Sequence, residues 1–447
     1  MTDSIKERII AEAKIRRREL MDQMEPDSIA LVAAAPQVTR SNDTEYPYRQ
    51  SSDFFYLTGF EEDDAILALI PGREQGEEVL FCKERDKTRE LWDGILLGPE
   101  RASDTLLVDD AFPIGDVDEI LPGLIEGRDR VYYSMGRDPK LDQQVMEWVK
   151  TIRSRVRMGA HPPGEFLVLD HLLHEMRLIK SELEIELMEQ AAQISVEGHK
   201  RAMLAARAGA HEYTLEAELQ YTFLRGGASA PAYNSIVAAG ANACVLHYVT
   251  NRDPLQDGDL VLIDAGCEYH GYAADITRTF PVSGRFSKEQ KALYDIVLDA
   301  QLQAIEAVRP GAIWDEPHNV TVRVITEGLV KLGLLEGDVD ALIEDGAYRD
   351  FYMHRAGHWL GLDVHDVGDY KIDEKWRLLE PGMVTTIEPG IYVSPDNKQV
   401  DKKWRGIGIR IEDDVLVTRD GQHVLSHGLP RETDEIEALM AQRSAAA

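Results

Sequence analysis

Four acids and a histidine stand where a folded chain least tolerates a charge. Asp264 closes the apolar run of DLVLID, and Asp275 opens the returning run DITRTF, both within residues 259–280. Glu388 ends VTTIE just ahead of Pro389 and Gly390. In GIGIRIEDDVLV, Ile407, Ile409 and Ile411 alternate onto one face and leave Arg410 and Glu412 on the other. His358 stands in YMHRAGHWLGLDVHDVG with His354 and His365, and His247 lies in VLHYVTN. Aspartate is depleted in strands, and an unpaired charge in an apolar setting is costly. Two carboxylates forced together repel, so one takes up a proton unless a cation sits between them.

Each residue alone has a plainer reading. A lone histidine is more often structural than a ligand. His354 and His358 have helical spacing but lack the acid of an HExxH zinc site. Arg410 and Glu412 could serve an ion-pair network, and Glu388 could be a turn residue. Together they imply more. If Asp264, Asp275, His358, Glu388 and Glu412 converge, four carboxylates and one imidazole are too many for one ion. They match two divalent ions held roughly 3.5 Å apart by bridging carboxylates. A mostly oxygen shell suits a hard metal, Mn²⁺ ahead of Zn²⁺, with Co²⁺ or Fe²⁺ also able to fit. No thiolate set points to a structural zinc.

Convergence needs a scaffold. Residues 259–263 read as a strand, Gly266 to Gly271 as a turn, and the residues after Asp275 as the returning strand, so a hairpin brings both aspartates to one end. Upstream, residues 5–24 read as an amphipathic helix, and Ile29–Ala35, Ala65–Ile70 and Val79–Cys82 as buried strands. Strands alternating with helical segments to about Arg157 predict a compact α/β domain. In it Trp92 of LWDG is expected to be a packed aromatic. AHPPG, at 160–164, breaks the pattern. A long helix follows, opened by the capping box of Ser181 and Glu184. We therefore expect an N-terminal domain over 1–172 and a catalytic domain over 173–447. The second is expected to be α+β, with helices covering a curved antiparallel sheet. The tail, 443–447, is expected to be frayed.

The chain has 447 residues, enough for two domains, and 44% hydrophobic residues, enough for proper cores. Its net charge of −31 disfavours nucleic acid as a partner, because phosphate contacts need basic patches. The acidity reads as a self-repelling surface or as the mark of a saline habitat. The apolar runs are far too short to span a bilayer. MTDSIKERII is polar and charged, unlike a secretory signal. Three cysteines without CxxC spacing read as reduced thiols, and together these features predict a cytoplasmic protein.

The order Asp, Asp, His, Glu, Glu, in the contexts LIDAG, ADITRT, GHWLGLDVHD, IEPG and IRIED, resembles the aminopeptidase P branch of the pita-bread metallopeptidases. RSNDTEYPYRQSSDFFYLTGF is similar to the N-terminal domain of the bacterial enzymes, so the resemblance covers nearly the whole chain. It implies an α/β N-terminal domain and an α+β pita-bread catalytic domain. It implies that Asp264 binds one ion and His358 the other, with Asp275, Glu388 and Glu412 shared or bidentate. His354 and His365, with Glu388, would take part in catalysis, and His247, Tyr392 and Arg410 would handle substrate. The implied activity is release of the first residue from peptides with proline second, usually with Mn²⁺. A homo-oligomer, dimer or tetramer, is implied, with Trp92 matching a stretch that borders a neighbouring subunit's site. The alternatives are a prolidase-type Xaa-Pro dipeptidase, a methionine aminopeptidase, and a pita-bread module that binds peptide without catalysis.

Overall fold

The computed structural model of the chain describes residues 2–88 and 90–443. It divides into two units, Met1–Met176 and Arg177–Ala447.

The first unit is built on short apolar strands. Helix α1 (Thr2–Gln23) leads into β1 (Ser28–Ala33), and β2 (Ile66–Leu69) and β3 (Glu78–Cys82) follow as fully buried runs. β4 (Asp110–Pro113), α2 (Val117–Ile125), β5 (Arg130–Tyr133), α3 (Pro139–Ser154) and β6 (Glu165–Val168) complete it. Among the described residues these strands form one mixed sheet in the order β4-β3-β2-β1-β5-β6. Ile29, Leu31, Phe81 and Val131 meet Leu121, Val145 and Trp148 of the helices in the core. β6 is a strand that the prolines of AHPPG hide from a sequence reading. The chain re-enters at the sheet edge just beyond them, pairing parallel to β5. Trp92 is not a packed aromatic within this unit. It sits in a single helical turn, Glu90–Asp93, and is 86% exposed, beside exposed Leu91 and Ile95. One turn offers too little apolar surface to bury an indole.

The second unit begins with α4 (Glu182–Ala205), whose capping box joins Ser181 and Glu184 reciprocally. α5 (Glu212–Arg225) packs on it. The strands β7 (Ile236–Ala239), β8 (Leu260–Asp264), β9 (Cys267–Tyr269), β10 (Tyr272–Ala273) and β11 (Thr277–Pro281) come next. A second helix pair, α6 (Lys288–Ala307) and α7 (Glu316–Lys331), separates them from β12 (Val384–Ile387), β13 (Gly390–Val393), β14 (Ile407–Arg410) and β15 (Asp413–Val417). Every strand pairing in this unit is antiparallel among the described residues. The sheet runs as short pieces joined by single bridges, such as Thr277 with Glu412 and Trp359 with Thr385. Both helix pairs tie into strand ends by buried polar bonds. His199 of α4 bonds the Ala265 carbonyl at 2.9 Å, and Gln301 of α6 donates to Asp413 at 2.5 Å.

Residues 266–274 are more than a turn. They form a second, smaller hairpin, β9 with β10, closed tightly at His270 and Gly271, both with positive φ. The break between the two ladders falls at Gly266. A Cβ there would lie 1.7 Å from the Ala274 carbonyl oxygen, so only glycine permits the crossing. Arg443, expected to fray, donates to the Val282 carbonyl at 2.9 Å. The rest of that tail, 444–447, lies outside the described residues.

Gly357 meets the same constraint, since a Cβ would lie 1.9 Å from the Thr386 carbonyl oxygen. Gly357→Ala is expected to lose about 1–3 kcal/mol of stability in thermal or denaturant unfolding, the usual cost of overpacking. Gly421→Ala, with nothing within 4 Å of the new Cβ, is the control and is expected to shift stability by no more than about 0.5 kcal/mol.

Candidate active site

The hairpin sets the first two acids. β8 and β11 pair so that Asp264 faces Thr277, which puts Asp275 two residues before the same rung. Both side chains are buried, Asp264 at 9% and Asp275 at 5% exposure. Their nearest shared partner is the Tyr233 hydroxyl, 2.6 Å from Asp264 Oδ1 and 2.5 Å from Asp275 Oδ1. One phenol carries one proton, so it can neutralise at most a fraction of the repulsion.

His358 and Glu388 arrive from the other half of the unit. The carbonyl of His358 accepts the Thr386 N–H at 2.9 Å, and Glu388 N–H bonds the Ala356 carbonyl at 2.8 Å, which locks the histidine loop onto β12. His358 Nδ1 donates to the Trp359 carbonyl at 3.0 Å. That bond fixes the tautomer, and Nε2 is left facing Asp275 Oδ2 at 3.4 Å and Glu388 Oε1 at 3.6 Å. Glu412 is 2% exposed. Its N–H bonds the Thr277 carbonyl, and its Oε2 accepts the Thr277 hydroxyl at 2.6 Å.

Arg410 and Glu412 share a strand face but are not each other's hydrogen-bond partners. Arg410 gives Nη2 to Asp264 at 2.6 Å, Nη1 to the Tyr392 hydroxyl at 2.8 Å and Nε to Thr277 Oγ1 at 3.3 Å. The Tyr392 hydroxyl passes the chain on to His354 Nε2 at 2.9 Å, and His354 Nδ1 bonds the Arg355 carbonyl at 2.7 Å. His247 and His365 are exposed and line the same cavity of about 420 Å³ as Asp264, Asp275, His358 and Glu388. The His365 ring stands edge-on to His358 at 4.4 Å. Its neighbour Asp366 is fixed by buried Arg177 and Lys180, at 2.6 and 2.8 Å. His247 rides a loop pinned by the Glu212 carboxylate. This accepts from Ala239 N–H, Asn242, Tyr248 and Asp253 N–H.

All ten residues singled out in the sequence thus meet in this unit, around one cavity or in direct contact with its lining. Tyr233, Thr277 and Asp414 were missed. Asp414 accepts the Asp275 N–H at 3.2 Å and so sets the backbone of that acid. Nothing in PAYNS marks Tyr233, and Thr277 and Asp414 look like ordinary strand residues.

The electrostatics are those of a crowded anion site. Burial raises Glu412 well above the usual carboxylate range, and raises Asp264 despite Arg410 beside it. Burial also lifts Glu388 to about 7, with Asp275 pushing the same way and His358 opposing. For His358 burial pulls down, but the bond to Asp275 and the charges of Glu388 and Asp275 win, raising it to about 9. Asp275 goes the other way: burial pushes it up, but His358, the Tyr233 hydroxyl and Arg410 together hold it low. Burial and then Arg410 drive His354 down to about 3, so its ring stays neutral.

The residues fit a divalent metal. His358 Nε2 points its lone pair at carboxylate oxygens, an arrangement that only a proton or a cation satisfies. Ligand atoms of Asp275, His358 and Glu412 lie within 4.8 Å of one another. Two ionised carboxylates about 4 Å apart repel by about 4 kcal/mol at an effective dielectric near 20, and Arg410 alone cannot offset four.

Without metal, Glu388 and His358 both bind protons more tightly folded than unfolded. The stability this gives is complete below the unfolded value of 4.5 for Glu388 and 6.5 for His358. It is lost as pH rises through about 7 and about 9. The melting temperature of the metal-free protein is therefore expected to fall between pH 5 and pH 9. Added divalent metal should raise it more at pH 9 than at pH 5, because the ligands must be deprotonated. A metal-free melting temperature that rises across this window would contradict the reading.

The sequence matches the family model for metallopeptidase family M24 over residues 186–419, and that for the aminopeptidase P N-terminal domain over residues 13–132. It is 48% identical to the Xaa-Pro aminopeptidase of Escherichia coli, over 95% of this chain and 96% of that protein. The fold matches an aminopeptidase of Pseudomonas aeruginosa with a TM-score of 0.96 and 61% identity, covering 97% of this chain and 98% of that one. It also matches Escherichia coli aminopeptidase P bound to the inhibitor Pro-Leu, with a TM-score of 0.94 and 47% identity over 97% and 98% of the two chains. Both family models match, and relatives at 47–61% identity align over nearly the full length of both chains: the chain belongs to the aminopeptidase P group of metallopeptidase family M24.

Proposed function

We propose that this chain is a dinuclear metallo-aminopeptidase that releases the first residue from peptides whose second residue is proline. The observation that carries the reading is the gathering of Asp264, Asp275, Glu388, Glu412 and the His358 lone pair at one cavity. Asp264 would hold one ion and His358 the other, with Asp275, Glu388 and Glu412 as shared or bidentate ligands. The oxygen-rich set favours Mn²⁺, although an aminopeptidase P from Escherichia coli has been obtained in zinc-substituted form with product. When bound, the cation pair supplies the Lewis acidity that brings the pKa of water to near neutrality.

The chain's own groups do the rest. Glu388 takes the proton of the water that attacks the carbonyl carbon before proline. As the C–N bond breaks, it returns that proton to the proline nitrogen, which leaves as a secondary amine. His365 or His247 donates to the oxyanion. His354 has both ring nitrogens engaged and stays neutral, so its part is to hold Tyr392, and through it Arg410, in place. Through the cation pair they would hold, the clustered acids would also anchor the peptide's free α-amino group, which would fix where cleavage falls. An Xaa-Pro bond is a tertiary amide without N–H, so a site for it relies on fitting the ring. We place the enzyme in the cytoplasm; among the described residues no helix is long and apolar enough to cross a membrane. We also propose a homo-oligomer, whose contact would cover exposed Leu91, Trp92 and Ile95.

A peptide series Ala-Yaa-Ala-Ala is expected to be cut efficiently only where Yaa is proline, to lose cleavage on chelation, and to regain it with Mn²⁺. An intact Ala-Pro-Ala-Ala would favour a strict dipeptidase instead. Glu388→Gln is expected to keep the fold and lower kcat by about 10²-fold or more, the usual range for a removed acid–base group. Wild-type turnover in that variant would dismiss the proton shuttle.

A further inference from the structure

The cavity is not acidic all round. Trp314, Tyr370 and Trp376 also line it, and with them a second guanidinium, that of Arg355. Arg355 directly follows His354, whose Nδ1 it holds through its own carbonyl. Its side chain is 44% exposed, so an incoming peptide can reach it. The guanidinium carbon lies 5.0 Å from the Trp314 ring centre and 4.8 Å from that of Trp376. These two indoles are themselves 5.5 Å apart. Trp314 is anchored against Tyr370 at 4.4 Å and against buried Trp359 at 5.7 Å. Trp376 belongs to a small hairpin in which it pairs with Lys371, whose amine also lies over its ring at 4.4 Å. Two cations therefore share one aromatic platform at the cavity, in a chain whose net charge is −31.

Arg355 gives Nη2 to Asp315, whose other oxygen is taken by Asn319. Among the described residues Asp315 is the one hydrogen-bonded partner of this guanidinium. A guanidinium has five N–H donors in a fixed fork. Arg278 shows what a purely structural arginine does here. It is 1% exposed and gives its donors to the carbonyls of Thr277, Glu412, Leu429 and Pro430 and to Asp413. Arg355 instead leaves 44% of its side chain exposed, with only Nη2 bonded, to Asp315, and its guanidinium beside two indoles. That arrangement is preorganised for a planar anion.

We propose that Arg355 is a recognition point for a carboxylate of the bound peptide, either an acidic side chain flanking the Xaa-Pro pair or the free C-terminus. This rests on the aminopeptidase reading above and adds a substrate preference to it. A local cation on a platform of indoles gives acidic peptides a foothold on a surface that otherwise repels them.

The test measures kcat/KM on the metal-loaded enzyme for matched peptides. One pair carries Glu or Gln before proline, a second carries Glu or Gln after proline, and a third has a free or amidated C-terminus. In at least one pair the carboxylate peptide is expected to be preferred by about tenfold, the factor typical of a charge-assisted hydrogen bond. The pair that responds identifies the source. Arg355→Gln should collapse that ratio toward one, Arg355→Lys should retain part of it, and Arg355→Glu should invert it in favour of a Lys-bearing peptide. Equal rates within all three pairs, or a preference that survives Arg355→Gln, would overturn the proposal. Failure to cut any proline peptide would instead overturn the underlying activity, so the two failures are distinguishable.

Discussion

Crowded negative charge governs this structure. Asp264 and Asp275 come from one hairpin of the second unit, and Glu388 and Glu412 from strand ends more than a hundred residues further on. Asp264, Asp275 and Glu412 are buried and Glu388 partly so, all lining one cavity. Without a cation, burial together with the charge of Asp275 lifts Glu388 to about 7, and the bond to Asp275 with the charges of Glu388 and Asp275 lifts His358 to about 9 against burial. A fold optimised for stability would not assemble such a group. It persists because the surroundings fix the acids from the backbone side and leave their oxygens facing one another.

That fixing is done mainly by neutral donors and by one arginine. Thr277 bonds Glu412, Tyr233 touches Asp264 and Asp275, and Asp414 takes the Asp275 N–H. Arg410 balances only Asp264 directly, and its remaining donors are spent on Tyr392 and Thr277. The scaffold thus aligns carboxylates without neutralising them, and the deficit is left for metal ions. The same economy of space appears in the backbone. Gly266 and Gly357 allow carbonyls to approach at distances a side chain would forbid, and both stand next to the acids or the imidazole they position.

Much of this was legible in the sequence because charge in an apolar strand is a rare and therefore informative event. Asp264, Asp275, Glu388 and Glu412 announce themselves that way, and the capping box at Ser181 marks the long helix that opens the second unit. What the sequence hid has physical causes too. Tyr233 acts through one hydroxyl on an otherwise ordinary loop aromatic. The hairpin of β9 and β10 has strands of three and two residues, below the length at which alternation can be recognised. β6 follows two prolines, which read as an end of structure although the chain returns to the sheet edge beyond them. Trp92 looked like core because it is an indole, but a single helical turn cannot bury one. The partner of Arg410 could not be read from its own strand. Alternation places Arg410 beside Glu412, whereas the guanidinium crosses the sheet to Asp264.

The most direct measurement is the metal content of the purified chain after equilibration with Mn²⁺ and dialysis, for the wild type and for Asp275→Asn with Glu412→Gln. Two ions per chain in the wild type, both lost when these acids are neutralised, is the expected result. A wild-type chain without bound metal, or two ions that survive the double substitution, would contradict the claim that the carboxylates exist to hold a pair of cations.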